Sequence, residues 1–306
     1  MQKRVLFVAI VCAFGGSYLA KLLLLNATQI APPALPVATP ARIVSLAPSA
    51  TEVLFDLGLG DRVVGVTRFC DYPPEAKQKT DIGGFLDPDY EAILALKPDL
   101  AVVLSIHDVA AKRLGELGIR TLVLEHRTFD GVLESIQLVG DSCGAGPKAA
   151  EALGTIRHRL AVMQIRMQDV KRPRVLISSG RSYGTGSIGE VYVAGRNEWY
   201  DDIIQRAGGV NAYQDEGVQF PNVAGEGLLR LDPEVIIELV PPESMKGSTP
   251  EAIIAEWNAL PTLKAVQNKR VFVLSNDYVS IPGPRFIDTL EDVARILHPE
   301  IDWNAP

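Results

Sequence analysis

One amphipathic run, Pro147 to Lys171, divides this chain of 306 residues into two halves that resemble each other, and that arrangement limits the folds open to it. Apolar side chains at Ala149, Leu153, Ile156, Leu160, Met163 and Met167 fall at steps of four and three, so they share one stripe of a helix. Pro147 suits a first helical turn. Lys171 and Arg172 put basic charge at the negative end of the macrodipole, and Pro173 then cannot continue the helix. A helix over 147–171 would run on the order of 35 Å, long enough to span two lobes. On its own, the run also suits an ordinary core helix or a dimerising coiled coil.

The flanking segments decide between these readings. Before the run, strand-like Val/Leu/Ile segments (42–46, 63–67, 100–104, 121–125) alternate with helical patterns (49–57, 88–96, 109–117, 129–141). After it the alternation restarts, with strands at 174–178, 191–194, 235–240 and 270–274 and helices at 199–207, 225–231, 250–260 and 284–297. Glu91-Ala-Ile-Leu-Ala-Leu96-Lys-Pro98-Asp99 followed by Leu100-Ala-Val-Val-Leu104 matches Glu226-Gly-Leu-Leu-Arg-Leu231-Asp-Pro233-Glu234 followed by Val235-Ile-Ile-Glu-Leu239. Arg42-Ile-Val-Ser-Leu46 echoes Arg174-Val-Leu-Ile-Ser178. The expected fold is therefore α/β: two similar lobes with mostly parallel sheets, 42–146 and 172–306, joined by one long rigid helix, 147–171, with a ligand cleft between them. Coupling through that helix predicts a small closure on ligand binding.

Lys3 and Arg4 precede the apolar run Val5 to Phe14, an export signature, so residues 1–25 are either a cleaved signal peptide or an uncleaved membrane anchor. Pro32, Pro33, Pro36 and Pro40 make 26–41 an extended linker. The expected location is the periplasm, with a tether if the leader is retained. The formal charge is −7, and loss of Lys3, Arg4 and Lys21 with a leader would make it −7 − 3 = −10, which argues against a nucleic-acid partner. Cys70 and Cys143 could pair in an oxidising compartment, but two isolated thiols at unlike spacing are more often small buried hydrophobes.

Glu91 and Glu226 occupy the same place in each repeat, on the first turn of a helix. They are either helix-end charges or paired docking points, one per lobe, for a basic partner. Near strand ends lie Arg68, Phe69, Tyr72, Phe85, His107, Arg181, Tyr183, Phe220, Asp277, Tyr278 and Arg285. As a group on loops they are candidates to line a pocket for a large, partly apolar ligand, although any one of the aromatics also suits a core. Ser178 to Gly186 is glycine-rich but lacks the Lys-Ser/Thr ending of a phosphate loop and reads as a turn. His107, His126, His158 and His298 are scattered, so neither a metal site nor a cofactor is expected. No acid–base or nucleophile constellation stands out, so no catalytic residue is assigned, and a two-lobed enzyme using the same cleft is the rival class.

Arg42-Ile-Val-Ser-Leu-Ala-Pro-Ser-Ala-Thr-Glu52, Asp71-Tyr-Pro-Pro74, Leu96-Lys-Pro-Asp99, Ala207-Gly-Gly-Val-Asn211 and Pro284-Arg285 resemble the helical-backbone substrate-binding proteins of ABC importers for iron complexes and vitamin B12. The resemblance covers the chain from Arg42 onward. Phe69-Cys-Asp-Tyr-Pro-Pro74, Phe220-Pro-Asn-Val-Ala-Gly-Glu226 and Asn276-Asp-Tyr278 are most similar to the B12-binding members. The resemblance implies a non-enzymatic monomer that captures a small metal complex, a corrinoid or else a ferric siderophore or haem, and delivers it to an importer permease and its ATPase. It also implies permease docking at Glu91 and Glu226. Cleft tryptophans of the B12-binding members align with Phe85, Leu104 and Phe220, and a pocket arginine aligns with Ile281.

Overall fold

The computed structural model describes residues 39–303 except Lys246. The expectations for a leader and for the linker up to residue 38 lie outside the described residues, among which no helix is long and apolar enough to cross a membrane. The first lobe is built from β1 (Ile43–Ser45), α1 (Pro48–Asp56), β2 (Val63–Val66), β3 (Thr80–Asp81), α2 (Tyr90–Ala95), β4 (Leu100–Leu104), α3 (Asp108–Glu116), β5 (Thr121–Leu124) and α4 (Phe129–Cys143). Its strands pair in parallel in the order β3-β2-β1-β4-β5. Every residue of β4 is buried, as a strand covered on both faces requires.

α5 (Gly146–Arg166) is the central helix. Ala149, Leu153, Ile156, Met163 and, just past its end, Met167 are buried as the stripe predicts. The helix stops five residues short of Lys171, with Met167 as its C-cap. Arg172 donates to the carbonyls of Gln205 and Gly209, which draws the 168–173 segment off the helix axis toward the second sheet. At 21 residues the helix is about 30 Å long.

The second lobe follows with β6 (Arg174–Arg181), β7 (Val191–Val193), α6 (Trp199–Arg206), β8 (Val210–Asn211), β9 (Asn222–Val223), α7 (Gly225–Leu231), β10 (Val235–Leu239), α8 (Pro250–Glu256), α9 (Lys264–Gln267), β11 (Val271–Leu274) and α10 (Phe286–Leu297). Its sheet runs β11-β10-β6-β7-β9, with β8 also on β6. β10, β11, β6 and β8 pair in parallel, but β7 is antiparallel to β6 and β9, so this sheet is more mixed than the sequence predicts. The 182–190 connection contains no crossover helix, and a direct return makes an antiparallel neighbour.

The sequence repeat is one turn built twice. The Arg42 N–H donates to Asp99 at 3.1 Å, and the Arg174 N–H donates to Glu234 at 2.9 Å. The Arg42 guanidinium caps the Leu96 carbonyl at 2.8 Å, and that of Arg174 caps Leu231 at 2.9 Å. The next residues, Lys97 and Asp232, both take left-handed backbone, with φ of 48° and 38°. The repeat therefore records a shared local lock at the start of each lobe's central strand.

The lobes are joined by more than α5. Phe129 of α4 meets Trp199 of α6 at 5.0 Å and Phe286 of α10 at 4.3 Å between ring centroids, and these residues lie in one apolar core that runs through both lobes. Cys70 and Cys143 are buried and unpaired.

Candidate ligand-binding cleft

β4 and β5 end at Leu104 and Leu124, so Ser105-Ile106 and Glu125-His126-Arg127 emerge at the C-terminal edge of the first sheet, where open parallel sheets hold ligands. Facing them are Trp199 and Tyr200 at the start of α6, the Gln219-Phe220 loop, and Ser280 with Pro282. Together with Phe85 and Leu104 they enclose about 250 Å³ between the lobes. Phe85, Trp199, Tyr200 and Phe220 make the walls aromatic.

The charged groups of this wall neutralise each other. Glu125 Oε1 accepts from the Arg127 N–H at 2.9 Å and from its Nε at 3.2 Å, and Ser105 Oγ donates to Oε2 at 3.0 Å. Burial pushes the Glu125 carboxyl up, but these hydrogen bonds outweigh it and leave the group below the ordinary carboxylate range.

His126 sits behind the same wall, with Nδ1 2.8 Å from Ser49 Oγ. Burial depresses its pKa from 6.5 to about 4, against the weaker opposing pull of Glu125. In the unfolded chain the imidazole takes up a proton near its ordinary value, whereas the folded protein resists until about pH 4. The stability this provides is complete above pH 6.5 and is lost as the pH falls. Urea unfolding should show this one group removing about 2 kcal/mol between pH 7.5 and pH 5. His126→Gln should flatten the profile by that amount. Identical pH slopes in the two proteins would refute the assignment.

Of the residues singled out by sequence, Phe85 and Phe220 line the cavity. His107 lies just behind it, 4% exposed, edge-on to Phe85 at 4.6 Å, and accepting the Leu104 N–H at Nδ1. Burial lowers its pKa, so it is a neutral support rather than a cation for cargo. Arg68 and Phe69 are exposed on the loop after β2 and are not part of the cavity wall.

Four others form a clasp between the lobes. Arg285 donates to Glu52 of α1 at 2.6 and 3.1 Å and to both oxygens of Asp277 at 3.0 Å, and it stacks 3.6 Å from the Tyr72 ring centroid. Burial raises the Glu52 carboxyl against the pull of Arg285. Tyr278 donates to Asp292 at 2.7 Å beside this clasp. Arg285, Asp277, Tyr72 and Tyr278 thus hold the protein's own elements together, because the buried Glu52 claims the guanidinium.

Arg181 is likewise engaged internally. Its side chain is 1% exposed, between Glu238 and Glu256 at 2.6 Å each, with the Tyr183 ring 4.7 Å away. Glu91 and Glu226 are both exposed, and neither carboxylate has a partner among the described residues. Asp89 already caps α2, accepting from the N–H groups of Glu91 and Ala92. α7 has no side-chain cap.

Sequence reasoning missed Ser105, Glu125, His126, Trp199 and Tyr200. The first three follow directly from the ends of β4 and β5, and extending the strand-end rule by two residues would have found them. Trp199 and Tyr200 sit on a helix whose pattern reads as core, and both are indeed less than 10% exposed. The cleft exists where that core opens.

A family model described as periplasmic binding protein matches residues 43–278. The vitamin B12-binding protein of Vibrio cholerae serotype O1 is 30% identical over 262 residues, which is 84% of this chain and 88% of that protein. Among solved structures, the periplasmic vitamin B12-binding protein BtuF of Vibrio cholerae superposes with a TM-score of 0.72 at 27% identity, over 84% of this chain and 96% of that one. The periplasmic haem-binding protein RhuT from Roseiflexus sp. RS-1 also gives 0.72, at 25% identity over 84% and 98%.

Proposed function

The chain belongs to the periplasmic binding protein family, and from that premise we propose that it is an extracytoplasmic receptor that captures a corrinoid in the interlobe cleft and delivers it to an ABC importer permease. The observation that carries the choice of cargo is the chemistry of the wall. Phe85 and Phe220 offer aromatic surface to a flat macrocycle, backed by the buried Trp199 and Tyr200, while Arg127, the cation in that wall, is 71% exposed and already pairs with Glu125. An anionic ferric chelate or haem needs an available cation. Of the basic residues that the sequence places near strand ends, Arg68 is exposed on the loop after β2, outside the cavity wall. Arg181 is buried between two carboxylates, and His107 is buried and kept neutral. A neutral, amide-rimmed corrinoid fits the paired wall better.

As the family resemblance implies, Glu91 and Glu226 are the permease contacts, one on each lobe. The receptor releases its cargo chemically unchanged. Trp199 in the wall supplies an intrinsic reporter: titrating the purified protein with cyanocobalamin, cobinamide, haemin and a ferric hydroxamate should quench fluorescence at the lowest concentrations with the corrinoids. Tighter binding of haemin or the hydroxamate than of either corrinoid would reverse the choice of cargo. Recovery of a chemically altered corrinoid would make the protein an enzyme.

A further inference from the structure

The two lobes repeat the same unit but fill it differently. Val103 of β4 and Glu238 of β10 occupy equivalent places, and both are 0% exposed. Leu46 corresponds in the same way to Ser178, the register partner of Glu238. The first lobe has an apolar core there, whereas the second carries a carboxylate at the centre of a sheet. Such a group is costly to bury unless it is paired. Arg181 Nε meets it at 2.6 Å, Trp257 Nε1 donates to it at 2.7 Å, and Arg181 Nη1 reaches Glu256 at 2.6 Å. Glu256 in turn accepts the Gly186 N–H at 3.0 Å, so the cluster anchors the 182–190 connection.

That anchored connection forms one side of a recess of about 440 Å³ in the second lobe. Ser179, Ser182, Tyr183 and Ser244 line it, and it shares Tyr200 and Ser280 with the aromatic cleft, so the two spaces are neighbours. Its lining carries the hydroxyls of Ser179, Ser182 and Ser244, while the Tyr183 hydroxyl is buried. Behind it stands one guanidinium to two carboxylates, an excess of one formal negative charge. From this we infer that the recess is a second subsite, which takes an uncharged amide- or hydroxyl-bearing arm of the cargo and rejects carboxylate-bearing arms. The inference rests on the corrinoid reading of the adjoining cleft. Hydroxyls pair readily with amides, while a carboxylate placed there would be desolvated beside net negative charge, with no unpaired cation among the described residues of the lining to meet it.

Gly180 supplies the test. It lines the recess, its φ is not positive, and a Cβ built on it meets no atom within 4 Å. The backbone at Gly180 therefore accepts a Cβ without displacing a neighbour, so Gly180→Leu is the first plug for the subsite, and Ser182→Phe on the exposed rim is a second should the first fold poorly. The full protein is titrated with dicyanocobinamide, which carries amide arms, and with dicyanocobyrinic acid, which carries carboxylates in their place. The wild type should prefer the amide form by about 100-fold or more, and each plug should weaken the amide form by about tenfold while leaving the acid nearly unchanged. Equal wild-type affinities, or plugs without effect on the amide form, would overturn the subsite and leave the corrinoid reading standing. Wild-type protein that binds neither compound would overturn both.

Discussion

Glu91→Arg combined with Glu226→Arg should abolish cargo uptake in cells carrying the cognate permease while leaving cargo affinity and melting temperature almost unchanged. The two carboxylates sit at equivalent positions on the first turns of α2 and α7, are exposed, and have no side-chain partner among the described residues. A merely structural role would be as a helix-end charge, but α2 is already capped by Asp89, so little stability depends on Glu91. If each carboxylate meets an arginine of the permease, reversal replaces attraction by like-charge repulsion, and the pair should weaken docking by about 100-fold or more. Each single reversal should give an intermediate loss, because the lobes dock through separate contacts. Normal uptake by the double variant would reduce both residues to helix-end charges.

The second large effect is expected at Phe129. Its ring is 1% exposed and packs on Trp199 and Phe286, with the Arg206 guanidinium 4.9 Å from its centroid. It belongs to α4 of the first lobe, whereas the three partners belong to the second. Phe129→Ala should cost about 3–5 kcal/mol in urea unfolding, the usual range for emptying a buried aromatic site. It should also weaken cargo binding, since Trp199 leans on Phe129 with one face of its surroundings and on the cleft with another. Solution scattering offers a second readout: the wild type should contract only slightly on saturation with cargo, and the variant should span a wider range of lobe separations. A cost below about 1.5 kcal/mol, the level of an ordinary substitution, would mean that the lobes do not depend on this contact.

The architecture was readable where information is local and periodic. Alternating Val/Leu/Ile runs located nearly all the longer strands to within two residues at their starts, and the spacing from Ala149 to Met167 identified the central stripe. The repeat was readable because one backbone turn, with left-handed Lys97 and Asp232 and the locks from Arg42 and Arg174, imposes the same residue types twice. Phe85 and Phe220 were legible as cleft residues because strand-end loops carry ligands in this class of sheet.

Only the tertiary structure decided what each polar side chain is for. Arg285 looked available until Glu52, 233 positions away, was found to hold it, and Arg181 looked available until Glu238 and Glu256 closed on it. The antiparallel return of β7 and the Phe129–Trp199–Phe286 knot had the same origin in contacts between distant segments. Backbone periodicity is written into neighbouring residues because one helix or strand repeats a fixed geometry over a few positions. The partner of a guanidinium or the neighbour of a ring is fixed by how separate elements pack, and no short stretch of sequence carries that information.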